Sequence, residues 1–490
     1  MSYSGATDYR EGARRGLASE SLQKNLKNLQ NRYGRGALEH WATMAGADPR
    51  ERIKRKRMQT LEHLDIVLAM LIEKIEARGG QVYCAQTAED AAAYCLELAR
   101  RHDVKRVVKG KSMVSMEIGV DALLQKEGIE VVETDLGEYI VQLREEPPSH
   151  ILGPCVHLNR QQIGRLFSEK LDMAYSDDPP NLTRAARKAL RQKLLHADMG
   201  ITGCNLACAE TGEISLVSNE GNIRMATTMP RINVALMGIE RVVATMEDHQ
   251  DLLQLLTRAG ALQKISTYVS FAGGPSPVGD PDGPAEFHLV LVDNGRSKIL
   301  ADPEFREILA CIRCGGCLNI CPVYGRIGGH AYNAFYSGPV GAVLTPLFYG
   351  INEHADLCKG ESLCGACLDI CPVNNDLPRM LLALRKKLAY GDPNWQVQVH
   401  KPFEAMTFRA WRRLITNGPL YRLVLRVLAT LQGPFIAKNG MITRLLGPAG
   451  AWTKDRDLPP LAKKSFRTRW QQKQKARQRR KSAEVKNDQA

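Results

Sequence analysis

Eight of the thirteen cysteines in this 490-residue chain lie between Cys311 and Cys371, in two runs of related spacing. Cys311, Cys314, Cys317 and Cys321 form C-x2-C-x2-C-x3-C, followed by Pro322. Cys358, Cys364, Cys367 and Cys371 form C-x5-C-x2-C-x3-C, followed by Pro372. The first run has the spacing by which cysteines hold paired cubane clusters, and the second is the same run with three extra residues. A cubane needs one thiolate on each of its irons. Three closely spaced cysteines wrap three corners, and the fourth lies too far along the chain to close the same cube. The spacing therefore predicts two [4Fe–4S] clusters with crossed ligation. Cluster one takes Cys311, Cys314, Cys317 and Cys371, and cluster two takes Cys358, Cys364, Cys367 and Cys321. Gly315, Gly316 and Gly365 let backbone N–H groups approach the sulfur atoms. Structural zinc sites usually pair two C-x2-C units and do not favour this run.

Clustered cysteines read as metal ligands in a reducing compartment, so a cytoplasmic location is expected. The opening MSYSGATDYREGARRG lacks the apolar core of a secretory signal. No stretch of eighteen apolar residues predicts a membrane span. The net charge of +14, from 67 Lys and Arg against 53 Asp and Glu, is concentrated at the end. Residues 461–490 carry eleven Lys or Arg and two acids, a net +9. Such a tail suits acidic proteins or anionic lipid headgroups. No nucleic-acid-binding motif accompanies it, so nucleic acid is not an expected partner.

Residues 1–57 are polar and charged and predict an N-terminal helical extension reaching over another surface. Met58, Leu61, Leu64, Val67, Leu68, Leu71 and Ile72 recur at helical spacing and predict one helix, ended by Gly79-Gly80. From Gln81, apolar strands over 81–84, 106–109, 129–134, 213–218, 232–237 and 287–293 interleave with helices over 88–101 and 115–127. That alternation predicts an α/β domain with a largely parallel sheet, spanning 58–298. A cysteine-rich domain over 299–392 and a basic region over 393–490 follow, its tail from 461 expected to be disordered. Tyr421 to Leu431 is apolar but interrupted by Arg422 and Arg426, which predicts an amphipathic helix. Peripheral docking at a membrane surface is the corresponding expectation.

Ligands of open α/β sheets bind beyond the carboxyl ends of the strands. Lys109, Lys111 and Ser112, between a strand and a helix, are candidates for gripping an anion or substrate. Glu210, Asn219 and Glu220, around the strand 213–218, are further candidates. A solvated turn is the plain alternative for each group. Cys204 and Cys208 are four apart and are read as sharing a helical face, as small buried residues or as a metal or redox pair. No G-x-G-x-x-G follows a strand, so no dinucleotide site is expected. The residues nominate no catalytic group.

In order, GITGCNLACAETGEISLVSNEGN, GDPDGPAEFHLVLVDNGRSKIL, CIRCGGCLNICPVY and CGACLDICPV precede the basic tail. This combination resembles the lactate-utilisation protein B family over about residues 60–480. The resemblance implies a lactate-utilisation domain similar in fold to ribose-phosphate isomerases and coenzyme A transferases. An α-helical ferredoxin domain with two [4Fe–4S] clusters is implied after it. The implied function is electron transfer in an NAD-independent L-lactate dehydrogenase system that oxidises L-lactate to pyruvate. Two other subunits are implied as partners, one cysteine-rich and one carrying a second lactate-utilisation domain. The chain is then expected in the cytoplasm, at the inner face of the membrane. The residues leave open an iron–sulfur subunit of another respiratory 2-hydroxy-acid or glycerol-phosphate dehydrogenase. They also leave open a redox-sensing or interaction protein that uses the tail, and whether this chain alone holds a substrate site.

Overall fold

The computed structural model describes residues 8–42, 48–110, 112–280, 282–399, 402–454 and 456–487. The chain forms two compact units, Met1–Gln398 and Val399–Ala490.

The larger unit is organised by a six-stranded parallel sheet. Its strands, with the rest of the strands in chain order, are β1 (Gln81–Ala85), β2 (Arg106–Gly110), β3 (Glu130–Glu133), β4 (Met199–Gly203), β5 (Leu206–Cys208), β6 (Glu213–Ser218), β7 (Ile232–Gly238), β8 (Val242–Val243), β9 (Tyr268–Ala272) and β10 (Glu286–Val292). The large sheet runs β1-β10-β7-β4-β2-β3, and a four-stranded sheet runs β8-β5-β6-β9. Successive side chains of a strand point to opposite faces. Val234, Leu236, Val290 and Val292 accordingly enter one apolar core with the helices Ala88–Arg101 and Val120–Lys126. Ala235, Met237, Leu289 and Leu291 enter another, against the helix Leu64–Glu76. Burial on both faces explains why these strands read as unbroken apolar runs.

The predicted long helix over 58–72 is two helices, Pro49–Glu62 and Leu64–Glu76, broken at His63. The break lets one stretch serve two cores. Leu61 packs with the cysteine-rich region, beside Phe305 and Ile308, while Leu64 packs under the sheet. The predicted helix 115–127 is likewise divided, into Met113–Glu117 and Val120–Lys126, at Gly119 with φ +68°. Cys204 and Cys208 do not share a helical face. Cys208 ends β5, which pairs antiparallel with β6, and the two thiols enter different cores.

The N-terminal helices Tyr9–Ala18 and Glu20–Leu29 clasp the cysteine-rich region. Gln30 Nε2 donates to the Cys321 carbonyl at 2.7 Å, and Trp41 Nε1 to the Ile370 carbonyl at 3.2 Å. Gly16 makes the approach close: a Cβ there would lie 2.2 Å from the Ile327 carbonyl oxygen.

In the smaller unit, Pro402–Thr416 and Gly418–Leu431 form a helical pair. The tail expected to be disordered contains the helix Phe466–Asn487, built from Arg, Gln and Lys, which are good helix formers. Among the described residues, no helix is long and apolar enough to cross a membrane.

Gly16→Leu is expected to cost about 1–3 kcal/mol through overpacking, read as a lower denaturation midpoint of the larger unit.

Candidate metal centre and the adjoining cavity

The two cysteine loops share a backbone conformation. Arg313 and Gly315 have φ of +57° and +73°, and Leu363 and Gly365 have φ of +58° and +88°. A short helix follows each, Gly316–Ile320 and Ala366–Asp369. Alternation into the left-handed region turns successive N–H groups to one side, the concave geometry that receives anions and iron–sulfur clusters. A Cβ at Gly365 would meet nothing within 4 Å, so the demand for glycine there is conformational. Backbone N–H groups already aim at sulfur: Arg313 at Cys311 (3.4 Å), Tyr324 at Cys321 (3.4 Å) and Asn375 at Cys371 (3.2 Å). Eight thiols over two such loops fit the donor set of iron–sulfur clusters.

The fourth cysteine of each run packs with the other run. Cys371 shares a core with Cys314, and Cys321 shares one with Cys358 and Cys367. Burial, then the neighbouring Cys311, pushes the Cys371 thiol up to about 12. Cys358 and Cys367 are also pushed to about 12, chiefly by burial. Any metal these thiols ligate has to displace protons that burial makes them hold firmly. The Cys321 thiol donates to Glu361 Oε2 at 3.3 Å, and Tyr332 donates to Glu361 Oε1 at 2.6 Å.

Beside the first loop lies a cavity of about 470 Å³. Its wall includes Ser112, Glu133, Cys204 and Glu240, at or just past the carboxyl ends of β2, β3, β4 and β7. Arg313 and Asn319 of the first cysteine run complete it. The domain with the parallel sheet and the cysteine loop thus line the same space.

A buried charge network holds the two together. Arg296 donates to Glu117 through both terminal nitrogens, at 2.8 and 2.9 Å, and through Nε to Glu240 at 2.7 Å. Arg313 reaches the other Glu240 oxygen at 3.3 Å. Tyr336 and Asn294 also donate to Glu117. Burial alone would raise Glu240, but Arg296, Arg313 and Arg241 outweigh it and hold the carboxyl at about 2. Glu117 is lowered in the same way, against burial, chiefly by Arg296. His150 is buried against the first loop, with Nε2 3.0 Å from Asn319 Oδ1 and Nδ1 accepting from Leu152 and Gly153. Burial, with Asn319 opposing, pulls it down to about 4, so it stays neutral at physiological pH.

The sequence candidates scatter around this cavity. Lys109 is buried at the end of β2, and its amine is committed to Asp121 and to Glu133, the latter at 2.8 Å. Lys111 lies outside the described residues. Ser112 lines the cavity but spends its hydroxyl on the Ser115 N–H, capping Met113–Glu117. Asn219 and Glu220 also line it. Glu210 is exposed, accepts from the Met246 N–H and is not part of the wall. Sequence reading missed Glu240, Arg241, Arg296, Arg313 and His150. The signal was present for three of them: Glu240 and Arg241 come within three residues of the end of the apolar β7, after Ile239, and Arg296 follows the Asn294-Gly295 turn after β10.

Residues 68–292 match the family described as LUD domain, 307–375 the 4Fe-4S dicluster domain, and 394–475 the C-terminal domain of lactate utilisation protein B. Lactate utilization protein B of Oceanobacillus iheyensis is 42% identical, covering 96% of this chain and 97% of its own. The Shouchella clausii protein of that name is 44% identical over 94% of both chains. The one from Bacillus subtilis is 39% identical over 94% of this chain and 96% of its own.

Arg296→Met strands two buried carboxylates and is expected to cost about 3–5 kcal/mol, measured by chemical denaturation at neutral pH. Because the folded state depresses Glu240, its contribution is present above the ordinary carboxyl value of 4.5 and lost as pH falls toward about 2. Glu240→Gln is expected to lack that part of the acid-induced loss of stability, measured by denaturation across the same range.

Proposed function

From the premise that the chain belongs to the lactate utilization protein B family, we propose that it is the iron–sulfur electron-transfer subunit of an NAD-independent system oxidising L-lactate to pyruvate. The observation that carries this reading is the repeated loop conformation around Cys314 and Cys364, each with left-handed residues immediately before and after it. We assign one [4Fe–4S] cluster to Cys311, Cys314, Cys317 and Cys371, and the other to Cys358, Cys364, Cys367 and Cys321. The packing of Cys371 with Cys314, and of Cys321 with Cys358 and Cys367, supports this crossed set. When bound, such clusters accept and release single electrons, and two of them match a reaction in which L-lactate loses two electrons and two protons.

The chain's own residues insulate and orient. Backbone N–H groups directed at Cys311, Cys321 and Cys371 stabilise negative charge at sulfur, which tunes potential. Cys364 is exposed and Cys367 buried, so the second loop offers an edge to an electron acceptor. Two further subunits, one cysteine-rich and one with its own lactate-utilisation domain, complete the system in this reading.

The smaller unit favours peripheral docking on an anionic bilayer. Phe403, Phe408, Trp411, Leu423 and Leu431 are each more than half exposed. Arg409, Arg412, Arg413, Arg422 and Arg426 lie on the same two helices. Exposed aromatic and leucine side chains interleaved with arginine suit the headgroup boundary.

Anaerobically purified protein is expected to carry about eight irons. Cys314→Ser and Cys367→Ser are each expected to remove about half and to abolish lactate-dependent dye reduction by the assembled system. Undiminished turnover without iron would overturn the electron-carrier reading. Trp411→Glu with Leu423→Glu is expected to weaken binding to phosphatidylglycerol vesicles by roughly tenfold or more, measured by co-sedimentation; a charged side chain in an apolar docking face opposes insertion.

A further inference from the structure

The carboxylates nearest the first cysteine loop are already spoken for: Glu117 serves Arg296, and Glu240 serves Arg296 and Arg313. A third guanidinium, Arg241, also lines the cavity. It is 8% exposed, and among the described residues no carboxylate lies within 4 Å of it. Its described side-chain hydrogen bond goes to the Cys311 carbonyl, at 3.2 Å. A guanidinium carries five N–H donors and keeps its charge in proteins. Glu240 acts on Arg241 through space, but that carboxylate is already in contact with Arg296 and Arg313, so among the described residues Arg241 has no carboxylate in contact with its N–H donors. The other acids of the wall stand elsewhere in the chain: Glu133 is tied to Lys109, Glu220 receives the Ser218 hydroxyl, and Glu138 lies in the helix Leu136–Leu143.

We propose that this cavity binds a small organic carboxylate, with Arg241 as its cation, directly against the loop that carries Cys311 and Cys314. The inference rests on the electron-carrier reading and names the class of molecule that meets the carrier. Planar, two-pronged recognition by a guanidinium favours a carboxylate. Phosphate commonly takes free N–H groups at a helix start. Here Ser112 occupies that position on the helix Met113–Glu117, and the nests of the cysteine loops face sulfur. Leu29, Met113, Ile151, Leu152, Val217 and Leu256 provide an apolar lining for a carbon skeleton. Through the Cys311 carbonyl, a carboxylate held by Arg241 changes the charge next to the first loop. Arg241 is thereby a binding residue that the Lys109 region of the sequence did not suggest.

The test uses the full chain with its iron content verified. Isothermal titration is run with L-lactate, pyruvate, the neutral lactamide and inorganic phosphate, and EPR of the dithionite-reduced protein is recorded with and without each. The expected result is saturable binding of the carboxylates, none of lactamide, and phosphate at least tenfold weaker. Arg241→Gln is expected to bind carboxylate at least tenfold more weakly, and Arg241→Lys to fall between. A carboxylate-induced change in the EPR signal is expected in the wild type and not in Arg241→Gln. No saturable carboxylate binding by the iron-loaded wild type, equal binding by Arg241→Gln, or tighter phosphate binding would each overturn the proposal. If Arg241→Gln loses its iron, the wild-type comparison of lactate with lactamide decides. Normal iron content and electron transfer without carboxylate binding removes this inference alone; absent iron removes the reading beneath it.

Discussion

Arg296 is the joint on which the larger unit depends. It sits just after the last strand of the parallel sheet and holds two carboxylates from different places, Glu117 before the Gly119 break and Glu240 past β7. Glu240 in turn holds Arg313, inside the first cysteine loop. Buried ion pairs add little net stability compared with apolar packing, yet breaking one is costly. Their value here is geometric: they fix the position of the first cysteine loop against the ends of the strands. A second arginine, Arg57, makes a parallel tie by donating to the carbonyls of Val242 and Leu309, one on each side of the same junction.

This junction makes the α/β domain and the cysteine-rich region one compact unit and not two beads on a string. The break at His63 serves the same end, since it directs Leu61 and Leu64 into separate cores. The cavity follows from it as well. Strand ends of an open parallel sheet leave a crevice, and here the cysteine loop closes over that crevice.

Much of this was readable in the chain, for local reasons. Strand boundaries followed apolar runs, and β6 and the helix Ala88–Arg101 fall where the pattern placed them. The cysteine spacing is a local signal too, because a tight loop must present its thiols within a few residues. What escaped depended on distant partners. Lys109 looked like an anion grip because it stands at the end of a strand just before a helix, but Asp121 and Glu133 come to it through the fold. Arg241 passed unremarked, and only the placement of Arg296 and Arg313 shows that the neighbouring Glu240 is already paired. Cys204 and Cys208 had helical spacing, and pairing of β5 with β6 overrode it. The N-terminal extension was expected to cover another surface, and the small residues that allow a close approach, such as Gly16, gave no hint of which.

The clasp formed by the first helices has a consequence in time. Gln30 and its acceptor Cys321 are 291 residues apart. At a synthesis rate of about 5–20 residues per second, the N-terminal helices emerge roughly 15–60 seconds before the segment they cover exists. During that interval Leu26, which ends fully buried, has no place to go. The last stretch made then decides whether the first stretch folds, so a ribosome that stalls before the cysteine runs leaves an apolar arm in solution. The arm is made early and docks late.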